Sequence, residues 1–163
     1  MEQTKKELYL LVMKEHELKH KLIGAGILPI CYTTGRVLLC KRGEHQSNPL
    51  EWATWGGGFE EGQDKTPKDC AKREFWEETR CKIDYKISNR PIDIINTNHF
   101  KYYIYAGLFD AEWIPDIETE KEASGWGWFK LDDLPENMLD DLAEFFENDV
   151  RIVENLIRFF KNR

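Results

Sequence analysis

Arg73, Glu74, Glu77 and Glu78 stand within the stretch "REFWEET". On a helix the three glutamates fall at i, i+3 and i+4, so their carboxylates share one face, and Arg73 reaches Glu77 a turn away. If partly shielded from water, each close acid pair would repel by about 3 kcal/mol, at roughly 6 Å and an effective dielectric of about 20. Left exposed, the same pairs cost only a few tenths of a kcal/mol each, roughly. The face is therefore either a solvated acidic surface with one ion pair or an oxygen-rich seat for a hard divalent cation, which turns the repulsion into attraction.

What precedes the acids bears on the choice. In "WATWGGGFEEGQDKTPKDCAK", Gly56, Gly57 and Gly58 read as a loop whose backbone can approach a ligand closely and offer carbonyl oxygens. Thr66 before Pro67 is a helix start, with Thr66 as N-cap and proline in the first helical position. A glycine segment feeding a capped helix with three carboxylates is an arrangement for phosphate and metal, although a glycine run alone is commonly just a tight turn.

The elements that must position these residues follow from periodicity. Residues 4 to about 21 carry Leu8, Leu11, Val12 and Leu18 at helical spacing, an N-terminal helix. Residues 22–32 and 36–42 are apolar runs around Gly35 and predict a hairpin, followed by a loop, "GEHQSNPLEW". After the acidic helix, "KIDYKIS", "DIINTN" and "HFKYYIYAGLFD" are strand candidates, and "GWGWFKLDDLP" adds a short one. From Pro135 onward the pattern predicts two helices broken near Asn148 and Asp149. The order predicts an α+β fold, an α/β/α sandwich in which helices flank a mixed sheet. The 163 residues read as one domain: an N-terminal helix over 1–21, a core over 22–135 and C-terminal helices over 136–163.

Charge narrows the partners. With 23 basic against 30 acidic residues, the net charge of −7 disfavours a broad grip on DNA, RNA or an anionic membrane surface. It leaves open a small phosphate-bearing ligand held through metal ions. Cys31, Cys40, Cys70 and Cys81 form no CxxC pair and four scattered histidines form no zinc set, so a reducing, cytoplasmic setting is expected. No run of about twenty apolar residues and no signal peptide is present.

Taken together, the segments resemble the Nudix box, G-x5-E-x7-R-E-U-x-E-E-x-G-U with U apolar. The matching residues are Gly57, Arg73, Glu74, Phe75, Glu77, Glu78 and Cys81, and "GRVLLCKRG", "EWATWGGG" and "EKEASGWGWFKLDDLP" are similar to the family's surroundings, so the resemblance covers residues 22–135. There are two departures. The spacing from Gly57 to Arg73 is two residues longer than the pattern, leaving the first box glutamate to be replaced within Gln63–Lys65, with Asp64 the candidate. Arg80 stands where the box has its last glycine, which implies a helix end other than a left-handed glycine cap.

The resemblance implies a pyrophosphohydrolase using Mg²⁺ or Mn²⁺ on a nucleoside diphosphate derivative such as a nucleotide sugar, an ADP-ribose-like compound or a dinucleotide. A (d)NTP pyrophosphatase, an RNA 5′-end hydrolase and a non-catalytic nucleotide sensor are the alternatives. It implies Glu74, Glu77 and Glu78 as metal ligands, with the Gly57 carbonyl as a further one and Arg73 orienting Glu77. Glu122 aligns best with a downstream general base, with Glu118 and Glu120 as alternatives in a segment that also reads as a solvated loop. Arg42, with Lys41, could meet phosphate oxygens or be a surface pair. Trp52, Trp55, Phe100 and Tyr102 could stack on a base or be core, and His99 could touch phosphate or base or lie at a strand edge. The apolar C-terminal stretch either caps the sheet or builds a homodimer interface.

Overall fold

The computed structural model describes residues 4–8, 21–118 and 122–163. Residues 4–8 are helical and Lys21, the last residue of the expected N-terminal helix, is not; residues 9–20 of that helix, and Glu120, lie outside the described residues. The chain forms an eight-stranded mixed sheet with a helix packed on each face.

Strand β1 (Leu22–Cys31) is the axis of that sheet. It runs parallel to β7 (Phe100–Phe109) over its whole length, from Leu22 opposite Phe100 to Cys31 opposite Phe109. Its other edge is shared by two antiparallel partners: β2 (Arg36–Arg42) at the Ile30–Cys31 end, and β4 (Trp55–Gly58) from Gly24 to Ile27. Gly35, at φ 74°, makes the β1–β2 turn in a left-handed conformation that glycine adopts without steric cost. β3 (Trp52–Ala53) and β8 (Ala123–Lys130) flank β2, while β5 (Lys86–Ile87) and β6 (Asp93–Asn96) flank β7.

Alternation along the strands divides the apolar residues between two cores. Ala25, Ile27, Leu38, Cys40, Tyr105 and Phe109 meet Cys70, Ala71 and Phe75 of helix α1 (Pro67–Thr79). Leu28, Ile30, Val37, Leu39, Ile104 and Leu108 meet Leu142, Phe145, Phe146 and Val153 of helix α2 (Asp140–Lys161). Each buried Val, Leu, Ile or Phe among them contributes about 1.5–3 kcal/mol by leaving water. The expected break near Asn148 and Asp149 is present: α2 is two helices joined across a kink at Asp149 (φ −128°, ψ 18°), and the first begins at Asp140, several residues later than the sequence pattern suggested. Among the described residues no helix is long and apolar enough to cross a membrane.

Candidate active site

The glycine run is a strand, not the expected loop. Gly58, Gly57 and Gly56 pair with Gly24, Ala25 and Gly26, and this glycine-to-glycine crossing leaves room that side chains would fill. A Cβ on Gly57 would lie 2.5 Å from the carboxyl carbon of Glu74, so bare backbone is what lets that acid rest on the strand. A Cβ on Gly56 would lie 2.0 Å from the Tyr102 hydroxyl, which packs over the same crossing. Glycines carry no side chain to show an alternating pattern, which is why the strand is invisible to periodicity.

Helix α1 starts as its sequence dictates. Thr66 Oγ1 accepts the Asp69 N–H at 3.1 Å, Asp69 Oδ2 accepts the Thr66 N–H at 3.1 Å, and Pro67 opens the first turn. Beneath it, Arg73 is a hub with a side chain 13% exposed. Its Nε and Nη2 donate to Asp64 at 2.9 and 2.8 Å, its Nη2 also donates to the Gly58 carbonyl at 2.9 Å, and its Nη1 donates to Glu74 at 3.1 Å and Glu77 at 3.2 Å. The guanidinium holds the Asp64 carboxyl below the ordinary carboxylate range, and that fork-to-fork pair in turn raises the Arg73 pKa. The longer connection thus places Asp64, itself accepting the Glu60 N–H at 2.9 Å, against Arg73. At the other end the expectation for Arg80 needs correcting. Arg80 itself adopts the left-handed conformation (φ 51°, ψ 37°), donating its N–H to the Trp76 carbonyl at 2.8 Å, so the helix closes by the usual geometry with an arginine in the glycine position.

Glu78 is the most perturbed acid of the set. Its Oε1 is buried with no hydrogen-bond partner among the described residues. Burial first, then the neighbouring charges of Glu74 and Glu122, pushes its pKa up to about 9, against the pull of the Gly56 backbone and Arg42. Burial likewise raises Glu74, against the pull of Arg73. Glu78, Glu122, Arg42 and Cys40 line one small cleft of about 40 Å³. Burial pushes the Cys40 and Cys70 thiols up to about 12 and about 11, so neither is a thiolate nucleophile at neutral pH.

A larger cavity of about 470 Å³ adjoins the cleft, sharing Arg42, Ala53, Thr54 and Gly56 with it. Its walls include Ile95, Phe100, Tyr102 and Ile104, and Asp140 and Asp141 at the start of α2 close one side. Gly57 lines it too. Of the residues expected to touch substrate, Arg42, Phe100 and Tyr102 come together here. Trp55 does not: it is fully buried, donates its indole N–H to the Leu38 carbonyl at 3.2 Å, and belongs to the core under α1. Trp52 packs edge-on against Phe129 at 4.9 Å, and Lys41 sits 6.0 Å over the Trp52 ring. His99 is exposed in the turn before β7 and lines neither cavity. Glu118 is exposed and, unlike Glu122, is absent from the walls of the cleft. Sequence reasoning passed over Ser47, Asp140 and Asp141, because only the tertiary fold brings them to the cavity; the paired acids at a helix start were the one available signal.

Among the described residues no three His, Cys, Asp or Glu side chains converge into a ready coordination shell; Arg73 engages one oxygen each of Glu74 and Glu77. The donor chemistry nonetheless suits a hard divalent ion: an orphaned buried carboxylate oxygen on Glu78, two more acids on the same helix face, and a glycine backbone against which Glu74 is pressed.

A mixed sheet thus lies between two helices, with the carboxylate helix packed on a glycine strand. The NUDIX domain model matches residues 20–149, and the chain belongs to that family, whose hydrolases generally use divalent metals. Solved structures share the fold. The MutT NUDIX hydrolase from Burkholderia pseudomallei is 21% identical with a TM-score of 0.60, covering 79% of this chain and 98% of its own. The NUDIX domain of Shewanella oneidensis NrtR complexed with ADP ribose is 19% identical with a TM-score of 0.61, covering 78% and 84%. A bifunctional NMN adenylyltransferase/ADP ribose pyrophosphatase from Francisella tularensis, complexed with AMP and Mn ion, is 19% identical with a TM-score of 0.57, covering 90% of this chain and 47% of its own. No curated protein matches the chain in sequence.

Proposed function

We propose that this chain is a Mg²⁺- or Mn²⁺-dependent pyrophosphohydrolase of a nucleoside diphosphate derivative. The observation that carries the reading is the buried Glu78 carboxylate, whose Oε1 has no hydrogen-bond partner among the described residues and which shares a cleft with Glu122 and Arg42 beside a cavity walled by Phe100 and Tyr102. A site that only bound nucleotide would gain nothing from keeping that acid sequestered.

Glu74, Glu77 and Glu78 would hold the cation, with the Gly57 carbonyl as a further oxygen, and Arg73 fixes the first two carboxylates. When bound, the ion supplies Lewis acidity toward the phosphate oxygens and lowers the pKa of water. Glu122 takes the proton of the attacking water as its oxygen bonds to phosphorus and the bridging P–O bond breaks. Arg42 receives phosphate oxygens at the mouth shared by cleft and cavity. Ile95, Phe100 and Tyr102 form a surface for a flat base, and the Asp140 and Asp141 side suits groups that bear N–H donors and disfavours a second anionic end. That AMP and ADP ribose occupy two of the similar structures supports a nucleotide of this kind.

The test is hydrolysis of ADP-ribose, NADH, nucleotide sugars, dinucleoside polyphosphates, dNTPs and capped RNA with Mg²⁺ or Mn²⁺, with Glu78→Gln alongside. Cleavage of a nucleoside diphosphate derivative by the parent and its loss in the variant is the expected result. Tight nucleotide binding with no cleavage of any compound would instead make the chain a sensor.

A further inference from the structure

Arg42 owes its orientation to one residue of the segment that follows it. The ladder between β2 and β8 slips between Lys41 and Arg42, an irregularity of the kind that re-aims a side chain at the edge of a site. The Arg42 guanidinium then turns back on its own loop: Nε donates to the Ser47 carbonyl at 2.7 Å and Nη2 to the Ser47 hydroxyl at 2.9 Å. One flank of the guanidinium is thus fully taken by Ser47. The other edge, Nη1 with the second Nη2 proton, makes no hydrogen bond among the described residues, and Arg42 lines both the cleft of Glu78 and the larger cavity.

The loop is built to keep that grip. Asn48 (φ 48°) and Leu50 (φ 62°) both take left-handed conformations, which a leucine enters only when its surroundings compel it. The compelling contacts surround Arg42: the Leu50 N–H donates to the Arg42 carbonyl at 3.1 Å, the Arg42 N–H to the Glu51 carbonyl at 2.9 Å, and Asn137 Nδ2 to the Leu50 carbonyl at 3.3 Å. Next door, the Gly43 N–H donates to the Glu122 carbonyl at 2.9 Å and Ser124 Oγ to the Arg42 carbonyl at 3.1 Å, tying the clamp to the strand end that carries Glu122.

We propose that Ser47 is a positioning residue, which clamps one flank of Arg42 so that the free edge of the guanidinium meets a substrate phosphate in two-point fashion. This rests on the hydrolase reading above. An arginine on a flexible stem loses much of its binding energy to ordering, and a clamp made in the free protein removes that loss before substrate arrives. Lysine has no second edge, so the clamp has value only with arginine at 42.

The experiment is a double-mutant cycle read by calorimetric binding of ADP with Ca²⁺, on the parent, Ser47→Ala, Ser47→Thr, Arg42→Lys and the double variant Arg42→Lys/Ser47→Ala. Ser47→Ala is expected to weaken ADP about three- to tenfold, the worth of one oriented hydrogen bond. Ser47→Thr restores affinity, and in the Arg42→Lys background the alanine change adds nothing. A loss of equal size in both backgrounds, or no loss at all in a parent that binds ADP, overturns the clamp and leaves the hydrolase reading intact. A parent that neither binds ADP nor cleaves any diphosphate in the panel overturns the functional reading, and the clamp falls with it.

Discussion

The two faces of one sheet are built to opposite rules. On the α2 face, Leu142, Phe145, Phe146 and Val153 press onto Leu28, Ile30, Val37, Leu39 and Ile104, and among the described residues the buried polar side chains, Asp64 and Thr79, lie elsewhere. On the α1 face, the same strands present Ala25, Ile27 and Leu38 to a helix whose buried residues are Cys70, Ala71, Phe75 and Thr79, and whose flank carries the Arg73 network and Glu78. One helix is held by apolar area; the other carries costly charges beside its apolar contacts. The contrast shows where this protein gives up stability, and the sequestered Glu78, with one oxygen lacking a hydrogen-bond partner among the described residues, is the clearest instance.

The sharpest way to test the contrast is to remove that acid. Glu78→Gln is expected to lower turnover by on the order of 10²–10³-fold, while raising the melting temperature of the chelator-treated protein by a few degrees, since folding must neutralise the glutamate at neutral pH whereas the amide is neutral already; calorimetry beside the hydrolysis assay reads both. A variant that loses activity and stability together would put Glu78 in the structural class and erase the contrast.

Phe146→Ala should do the reverse. It opens a void in the apolar cluster under α2 and is expected to cost about 3–5 kcal/mol in a denaturant melt, with turnover per folded molecule close to that of the parent. A large drop in turnover with little change in stability would mean that the α2 face reaches into the chemistry.

The acidic face also has a pH signature. Glu78 has its folded pKa raised to about 9, above the ordinary 4.5, so between those values the folded, metal-free protein holds a proton that the unfolded chain has released. This group's contribution to stability therefore falls as pH rises from 4.5 to 9 and is level beyond. A cation must displace the same proton, so Mn²⁺ affinity should climb by nearly tenfold per pH unit between about pH 6.5 and 8.5. Titrations in buffers of different ionisation enthalpy would show the released proton, and an affinity independent of pH would count against Glu78 as a ligand.

The smallest effect is expected at the end of α1. Arg80→Gly relieves a left-handed arginine at the cost of its stacking 5.5 Å over Trp76, for a net gain of about 0.5 kcal/mol. A loss larger than that would show that the arginine's contacts outweigh its backbone strain.

Much of this layout was legible beforehand, and what was missed has physical causes. The β1–β2 hairpin, the Thr66–Pro67 helix start and the shared face of Glu74, Glu77 and Glu78 are local features, encoded within a few residues of one another. Glycines 56–58 were read as a loop because strand pairing by bare backbone leaves no side-chain pattern. Whether Trp55 stacks on a base or joins the core stays open in the sequence, because a strand aromatic has no mark of which side it faces until the register with Ile27 is known. Ser47 lies far in sequence from the adjacent pair Asp140 and Asp141, and they meet only around the cavity.

The parallel pairing of β1 with β7 has a consequence for how the chain comes into being. A nascent chain that has reached Arg80 already holds the hairpin, the glycine strand and the whole acidic helix. One edge of β1 is still unpaired, because its partner runs from Phe100 to Phe109. The central strand of the sheet therefore waits for a contact of long sequence separation, which slows folding and leaves an apolar strand edge open to neighbouring chains during synthesis. Substitutions that weaken β7 should show first in the yield of soluble protein, before any change in the finished enzyme.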